Sequence, residues 1–304
     1  MIEPVAFGFN DQTSINNYFQ QKGILKAPDI QRKALDEFNR MVEQLREKGV
    51  NVLVVKDTLE PHTPDSIFPN NWISFHDDGR VVLYPMFAEN RRSERSSDIL
   101  QYVADNGFRI VDIVDYTAWE KQNQFLEGTG SMTLDRRNKI AYAALSARTD
   151  EKLVLEFCSD FGYNAVCFSA NQSVDGKRLP VYHTNVMMCV GEQYAVVCLD
   201  CIDDVKEHNA VVDSLVIAGK DIISISEEQM LCFAGNMLQV ENRDGKHYLV
   251  LSKSAFDSLT ENQIHQLSVY NELIVVEIPT IEKVGGGGAR CMMAEIFLVH
   301  PSVM

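Results

Sequence analysis

Apolar and polar positions along this chain fall into a unit that recurs. Two strand-like runs flank a turn in NWISFHDDGRVVLYPM, SMTLDRRNKIAYAALSA, TNVMMCVGEQYAVVCL and NMLQVENRDGKHYLVLSKSA, with DDG, DRRN, GEQ and NRDG supplying the turns. Each hairpin is followed by a helix-spaced stretch and a further apolar strand: RSERSSDILQYVADNG then FRIVDIV, TDEKLVLEFCSDFG then YNAVCFS, VKEHNAVVDSLVIAG then KDIISIS, and LTENQIHQLSVY then NELIVVEI. Gly107, Gly162 and Gly219 stand where three of these helices should stop. Near the N-terminus, PDIQRKALDEFNRMVEQLREKG and VNVLVVKD add one more helix and strand.

The hairpins begin at Asn71, Ser131, Asn185 and Asn236, and Cys291 continues the series, at spacings of 60, 54, 51 and 55 residues. So steady an interval predicts an internal structural repeat of α/β character. The tail RCMMAEIFLV offers only one strand to its hairpin, while IEPVAFGF at the N-terminus is a spare. Pairing the two would close the repeats into a ring. In a ring, the loops entering the hairpins converge at one end of the axis. Those loops read PDSIFPNN, NQFLEGTG, RLPVYHTN, LCFAGN and VGGGGARC, and they carry Asp65, Glu127, His183 and Cys291.

Composition narrows what such a ring can do. The net charge is −15 and no Lys/Arg block exceeds the pairs Arg91-Arg92 and Arg136-Arg137, which speaks against a nucleic-acid surface. The apolar runs VNVLVV and ELIVVEI stop far short of the roughly 18 to 20 residues that span a bilayer. MIEPVAFGF lacks a basic region and a small-residue cleavage site, so a cytoplasmic protein is expected. Seven cysteines in such a chain do not make a disulfide framework. The CLDC pair, Cys198 and Cys201, has no second pair at zinc spacing, and no metal site is expected.

A thiol at the convergence is a natural nucleophile, given a nearby base or a depressed pKa. His183 can move protons near neutral pH. Carboxylates match a planar guanidinium fork. The grouping suggests attack by Cys291 on the carbon of a guanidinium or related planar C–N group held by Glu127 and Asp65. The glycine run before Cys291 would let backbone approach a ligand closely or relax as it passes. It does not read as a phosphate loop, having no GK[S/T] ending.

The combination of Asp65 with FPNNW, FLEGTG, YHTN and GGARCM, in order over essentially the whole chain, resembles the guanidino-group-modifying enzymes of the pentein superfamily. It is most similar to the branch holding dimethylarginine dimethylaminohydrolases and citrulline-utilisation hydrolases often labelled amidinotransferases. The resemblance implies a five-bladed α/β propeller in a single domain over residues 1–304. It implies Cys291 as nucleophile through a covalent thiouronium-like intermediate, His183 as general acid and base, and Glu127 and Asp65 on the substrate nitrogens. Arg91 and Arg148 match positions that anchor the carboxylate of an amino-acid substrate, and Asn71 would bind substrate or fix its turn. No cofactor is implied. Where dimethylarginine hydrolases carry an acidic pair, this chain has Asn70 and Asn71, which points away from methylated arginine towards a less cationic ureido compound such as citrulline. The expected activity is hydrolysis of a guanidino or ureido amino acid. Amidino transfer through the same residues is the near alternative and a non-catalytic binding module the distant one. The partner is a small molecule, and a homodimer is the default assembly.

Overall fold

The computed structural model describes residues 1–23 and 25–300. Four three-stranded sheets share one topology, an antiparallel hairpin joined through a helix to a third, parallel strand. The first consists of Ile73–Phe75, Arg80–Leu83 and Asp112–Asp115, the last with its helix Ser97–Asp105 before it. The second consists of Thr133–Asp135, Ile140–Leu145 and Asn164–Ser169 around helix Glu151–Phe161. The third uses Met188–Val190, Tyr194–Val197 and Asp221–Ser224 around helix Val205–Ile217. The fourth uses Leu238–Glu241, His247–Ser252 and Glu272–Val276, with helices Lys253–Ser258 and Glu261–Tyr270 in the crossover.

Why the middle strands read as unbroken apolar runs is visible in their burial. Val81, Val82, Ala141 to Ala144, Tyr194 to Val197 and Leu249 to Leu251 are all inaccessible, because they are covered on both faces. Local signals agree with this plan. Asp150 and Asp204 cap their helices through side-chain oxygens, and Thr260 with Gln263 forms a reciprocal capping box. Gly162 closes its helix at φ +68°, in the left-handed region that glycine enters without a Cβ clash.

The N-terminal helix Ala27–Glu47 joins Ile2–Glu3 in parallel to Val55–Lys56, repeating the helix-linked part of the unit. Here the expected pairing of the N-terminal strand with a tail strand is corrected. Among the described residues the last strand is Glu272–Val276, and Ile2–Glu3 pairs with Val55–Lys56 instead of the tail. Cys291 lies in a 3-10 turn, Ala289–Met292, and Arg290 Nη1 takes the Met293 carbonyl at 2.8 Å, withdrawing it from any ladder. The tail adheres through side chains: Ala294, Ile296 and Leu298 pack into the cluster of Trp72, Ile73, Val81 and Val103. A hairpin absent from the predicted pattern, Asn171–Val174 with Lys177–Pro180, projects before His183.

Candidate functional site

Three of the four sheets are entered through a short helical turn, and the chemistry-bearing residues sit on or beside these turns and a further one, Ala289–Met292, that leads into no strand. Asn71 ends Pro69–Asn71, Glu127 precedes Gly128–Ser131, His183 precedes Thr184–Met187, and Cys291 lies within Ala289–Met292. Asn236 occupies the matching turn of the fourth repeat, its N–H bonded to the Phe233 carbonyl. These turns bring their side chains together, so residues far apart in the sequence meet.

Contacts join them directly. His183 Nε2 lies 2.8 Å from Glu127 Oε2. Burial alone would raise the Glu127 pKa, but Arg148, the His183 bond and Arg91 outweigh it and bring the carboxyl down to about 2. An ionised carboxylate only accepts, so Nε2 carries the imidazole proton and Nδ1 is the basic nitrogen. Burial lowers His183 to about 4, against the opposing pull of Glu127, so the ring is neutral at physiological pH and ready to take a proton. Glu127 Oε1 accepts the Phe87 N–H at 3.0 Å and Arg148 Nη1 stands 3.5 Å from Oε2, which fixes the carboxylate.

Cys291 Sγ receives Asn236 Nδ2 at 3.3 Å and Asn185 Nδ2 at 3.6 Å. Burial raises its thiol pKa, and the Asn236 bond, the Gly288 N–H and Arg290 pull the other way. Two amide donors on sulfur favour the thiolate once a proton acceptor or a cationic ligand arrives. Asp65 Oδ2 is held by Asn10 Nδ2 at 2.8 Å and Thr13 Oγ1 at 3.1 Å, whereas its Oδ1 is buried without a partner. Burial raises the Asp65 pKa against Arg91. Asn71 Nδ2 and the Oδ1 atoms of Asn70 and Asn185 are likewise buried and unbonded. Such groups are uncommon in a folded interior, and clustered ones mark where a polar ligand would bind.

The two arginines occupy different places from those expected of open anchors. Arg91 grips Glu94 with Nε at 2.8 Å and Nη2 at 2.9 Å and holds Asn71 Oδ1 with Nη1 at 2.7 Å. Arg148 bonds Asn16 Oδ1 through Nε at 2.9 Å and the Thr13 carbonyl through Nη2 at 2.7 Å. Asn16 and Thr13 belong to a turn-rich N-terminal segment that covers the site. Cys291, His183, Glu127 and Asp65 are 3%, 1%, 0% and 2% exposed, so the site is sealed in this conformation. The same segment helps to tie down the glycines: Asn17 Nδ2 and, from beside His183, Tyr182 Oη donate to the Gly286 carbonyl, at 3.2 and 2.7 Å. The run is therefore no free loop. It closes helix Pro279–Gly285, with Gly286 at φ +64° as its left-handed cap, and a Cβ on Gly287 would lie 2.8 Å from the Phe68 ring.

Sequence reasoning missed Asn10, Thr13, Asn16, Asn17 and Glu94. The stretch NDQTSINN was available as a run of turn formers with no place in the repeat. Cys198 and Cys201 lie side by side as buried free thiols, Sγ to Sγ 3.3 Å, within the core. Among the described residues no group of three or more His, Cys, Asp or Glu is placed to hold a metal ion, and no helix is long and apolar enough to cross a membrane.

Solved structures share this fold. The N-terminal domain of ArgZ, covalently bonded to a reaction intermediate, superposes with a TM-score of 0.71 at 16% identity over 98% of both chains. ArgZ is described as an arginine dihydrolase of the cyanobacterial ornithine–ammonia cycle. AgrE, solved with ornithine and NAD+, gives 0.73 at 17% identity over 99% of this chain and 39% of its own. A dimethylarginine dimethylaminohydrolase carrying an S-methyl-L-thiocitrulline adduct gives 0.63 at 16% identity over 96% of both chains. No curated protein sequence matches significantly. These likenesses establish the mixed α/β fold expected from the pentein resemblance. A family model described as N,N dimethylarginine dimethylhydrolase, eukaryotic, matches residues 3–298, nearly the whole chain, and the protein belongs to that family.

Proposed function

We propose that this chain is a single pentein domain that hydrolyses a carbon–nitrogen bond of a guanidino or ureido amino acid through a covalent adduct on Cys291. The observation that carries the reading is the joint burial of a thiol, a neutral imidazole backed by an ionised carboxylate, and an unpartnered carboxylate oxygen. Asp65 Oδ1 accepts an N–H of the substrate head group. Asn71 Nδ2 is a free donor beside the His183 ring, with Gly130 close against both. A guanidinium offers that donor no acceptor, while a ureido oxygen does, so the pair Asp65 and Asn71 favours a ureido head.

Sulfur adds to the head-group carbon while His183 Nδ1 takes the thiol proton and passes it to the departing amine. Water then adds to the same carbon, giving its proton to Nδ1, and the carbon–sulfur bond breaks to return the thiol. Glu127 holds the imidazole in the required tautomer and stabilises the imidazolium. Arg91 sets the Asn71 amide from behind, and Arg148 takes the substrate carboxylate by exchanging Asn16 and the Thr13 carbonyl for it. The related proteins solved with a covalently bonded reaction intermediate or an S-methyl-L-thiocitrulline adduct support this chemistry by analogy. In this reading the unit built on Ile2–Glu3 and Val55–Lys56 is the fifth blade of a propeller.

The test is incubation with arginine, methylated arginines, citrulline and agmatine, each with and without an added amine acceptor, alongside Cys291→Ser. Released ammonia or alkylamine, a transient adduct at Cys291 by intact mass, and loss of both in the variant are expected. A product that appears only with acceptor would replace hydrolysis by amidino transfer. Turnover that survives in Cys291→Ser would remove the thiol from the mechanism.

A further inference from the structure

A cavity of about 40 Å³ is lined in part by Asn185 and Thr129, and no residue of the N-terminal segment lines it. Val190, Met237 and Thr133 line it, and Arg290 with Glu295, paired at 2.6 Å, stand at its edge. About 10 to 15 Å³ of such space holds one water, so this volume admits a short file of them where polar partners exist. The partners exist. Asn185 is 2% exposed, its Oδ1 is unbonded, and its Nδ2 reaches Cys291 Sγ. Asn70, fully buried with Oδ1 unbonded, meets Thr129 Oγ1 at 3.4 Å. Beyond Thr129 the next residue is Gly130, whose added Cβ would stand 2.8 Å from His183 Nδ1. A wall of neutral hydroxyl and amide groups therefore separates the cavity from the basic nitrogen.

Building on the hydrolytic reading above, we propose that this cavity is a water-binding site that supplies the hydrolytic water to the Cys291 adduct. The geometry favours such a source. In this conformation Asn10 to Phe19 cover the site groups, which are no more than 3% exposed, and the cavity behind Asn185 adjoins Cys291 through the Asn185 amide. A water held by Asn185 Oδ1 and the Thr129 hydroxyl can pass to His183, which takes one proton as the oxygen bonds to the adduct carbon. Collapse then breaks the carbon–sulfur bond, the proton returns to sulfur, and the oxygen leaves in the product. No oxidant or other co-reactant takes part.

Filling the cavity tests this. Val190→Phe and, independently, Thr133→Met add bulk to its lining without touching Cys291, His183 or Glu127. Rapid-quench intact mass on the full chain, using the substrate found active above, gives adduct formation and decay separately. Formation at the wild-type rate with decay slowed roughly tenfold, so that the adduct accumulates, is the expected result. Decay unchanged in the variant that folds, or formation and decay slowed alike, would overturn the assignment. Slowed formation with normal decay would make the cavity an exit for the amine and also overturn it. If one variant fails to fold, as read by its melting curve, the other decides. If both do, Leu134→Ala, which enlarges the cavity, decides: faster decay with unchanged formation supports a water site, and unchanged decay rejects it. Wild-type protein that forms no adduct and turns over no substrate would instead sink the hydrolase reading, and this assignment with it.

Discussion

Gly130 shows how tightly single residues are constrained around the candidate base. A Cβ there would lie 2.4 Å from Asn71 Nδ2 and 2.8 Å from His183 Cε1 and Nδ1. Neither neighbour yields easily, because Asn71 is held by Arg91 and His183 by Glu127. The Gly130 φ is not positive, so alanine suits its backbone and the effect is confined to the site. Gly130→Ala should therefore reduce kcat/KM by roughly a hundredfold or more while the melting temperature changes little. A variant with near-wild-type turnover would show that the His183 ring tolerates displacement and does not act from this position. Asn71 itself was legible as a repeat-phase residue in FPNN, yet its two amide atoms having opposite fates, one bonded to Arg91 and one free, depends on a rotamer that no spacing reveals.

The elements that carry the site are short turns, and their stiffness comes from the longer elements behind them. Helix Pro279–Gly285 delivers the glycine run and Cys291, and its own start is held by Glu37 from the N-terminal helix. The buried Glu37 carboxylate accepts the N–H groups of Thr280 and Ile281 at 3.0 Å, satisfying donors at a helix N-terminus where negative charge is favoured. Glu37→Ala should cost about 1 to 2 kcal/mol in urea unfolding and lower kcat with little change in KM, since the helix places the nucleophile and touches no substrate. Glu37→Gln, which keeps one acceptor, should recover most of both. Equal losses in the two variants would point to the charge rather than the cap. Hairpins, crossover helices and third strands were readable because period-2 and 3.6 patterns are local. The tail was not. RCMMAEIFLV has a strand's composition, and its conformation is decided by Arg290 claiming the Met293 carbonyl and by three side chains docking on the first sheet. The glycine run likewise reads as a loop until Asn17, Tyr182 and Phe68 are seen around it.

Across the whole molecule, the repeat brings residues from separate turns together and leaves the N-terminal segment, which has no counterpart in the repeat, to cover them. That division explains why Asp65, Glu127, His183 and Cys291 could be grouped by phase, while Asn10, Thr13 and Asn16 could not. With the site groups no more than 3% exposed, a ligand as large as an amino acid enters only when this segment lifts. The contacts to be broken include hydrogen bonds, Asn17 to Gly286, Arg148 to Asn16 and Thr13, and Asn10 and Thr13 to Asp65, and the buried Phe19 ring against Tyr182 and Phe233. Each hydrogen bond is a net contribution of about 1 kcal/mol and withdrawing the Phe19 ring costs about 2 kcal/mol, so opening is a local equilibrium below global unfolding. Alkylation of Cys291 by iodoacetamide, read by intact mass, should accordingly be slower than for a free thiol. Its rate should level off at high reagent concentration as opening becomes limiting. Asn17→Ala removes three bonds, to the Gly285 and Gly286 carbonyls and from the Phe19 N–H, and should raise that plateau several-fold without altering the melting temperature by more than a few degrees. Alkylation that stays linear in reagent and insensitive to Asn17→Ala would mean that access does not pass under this segment.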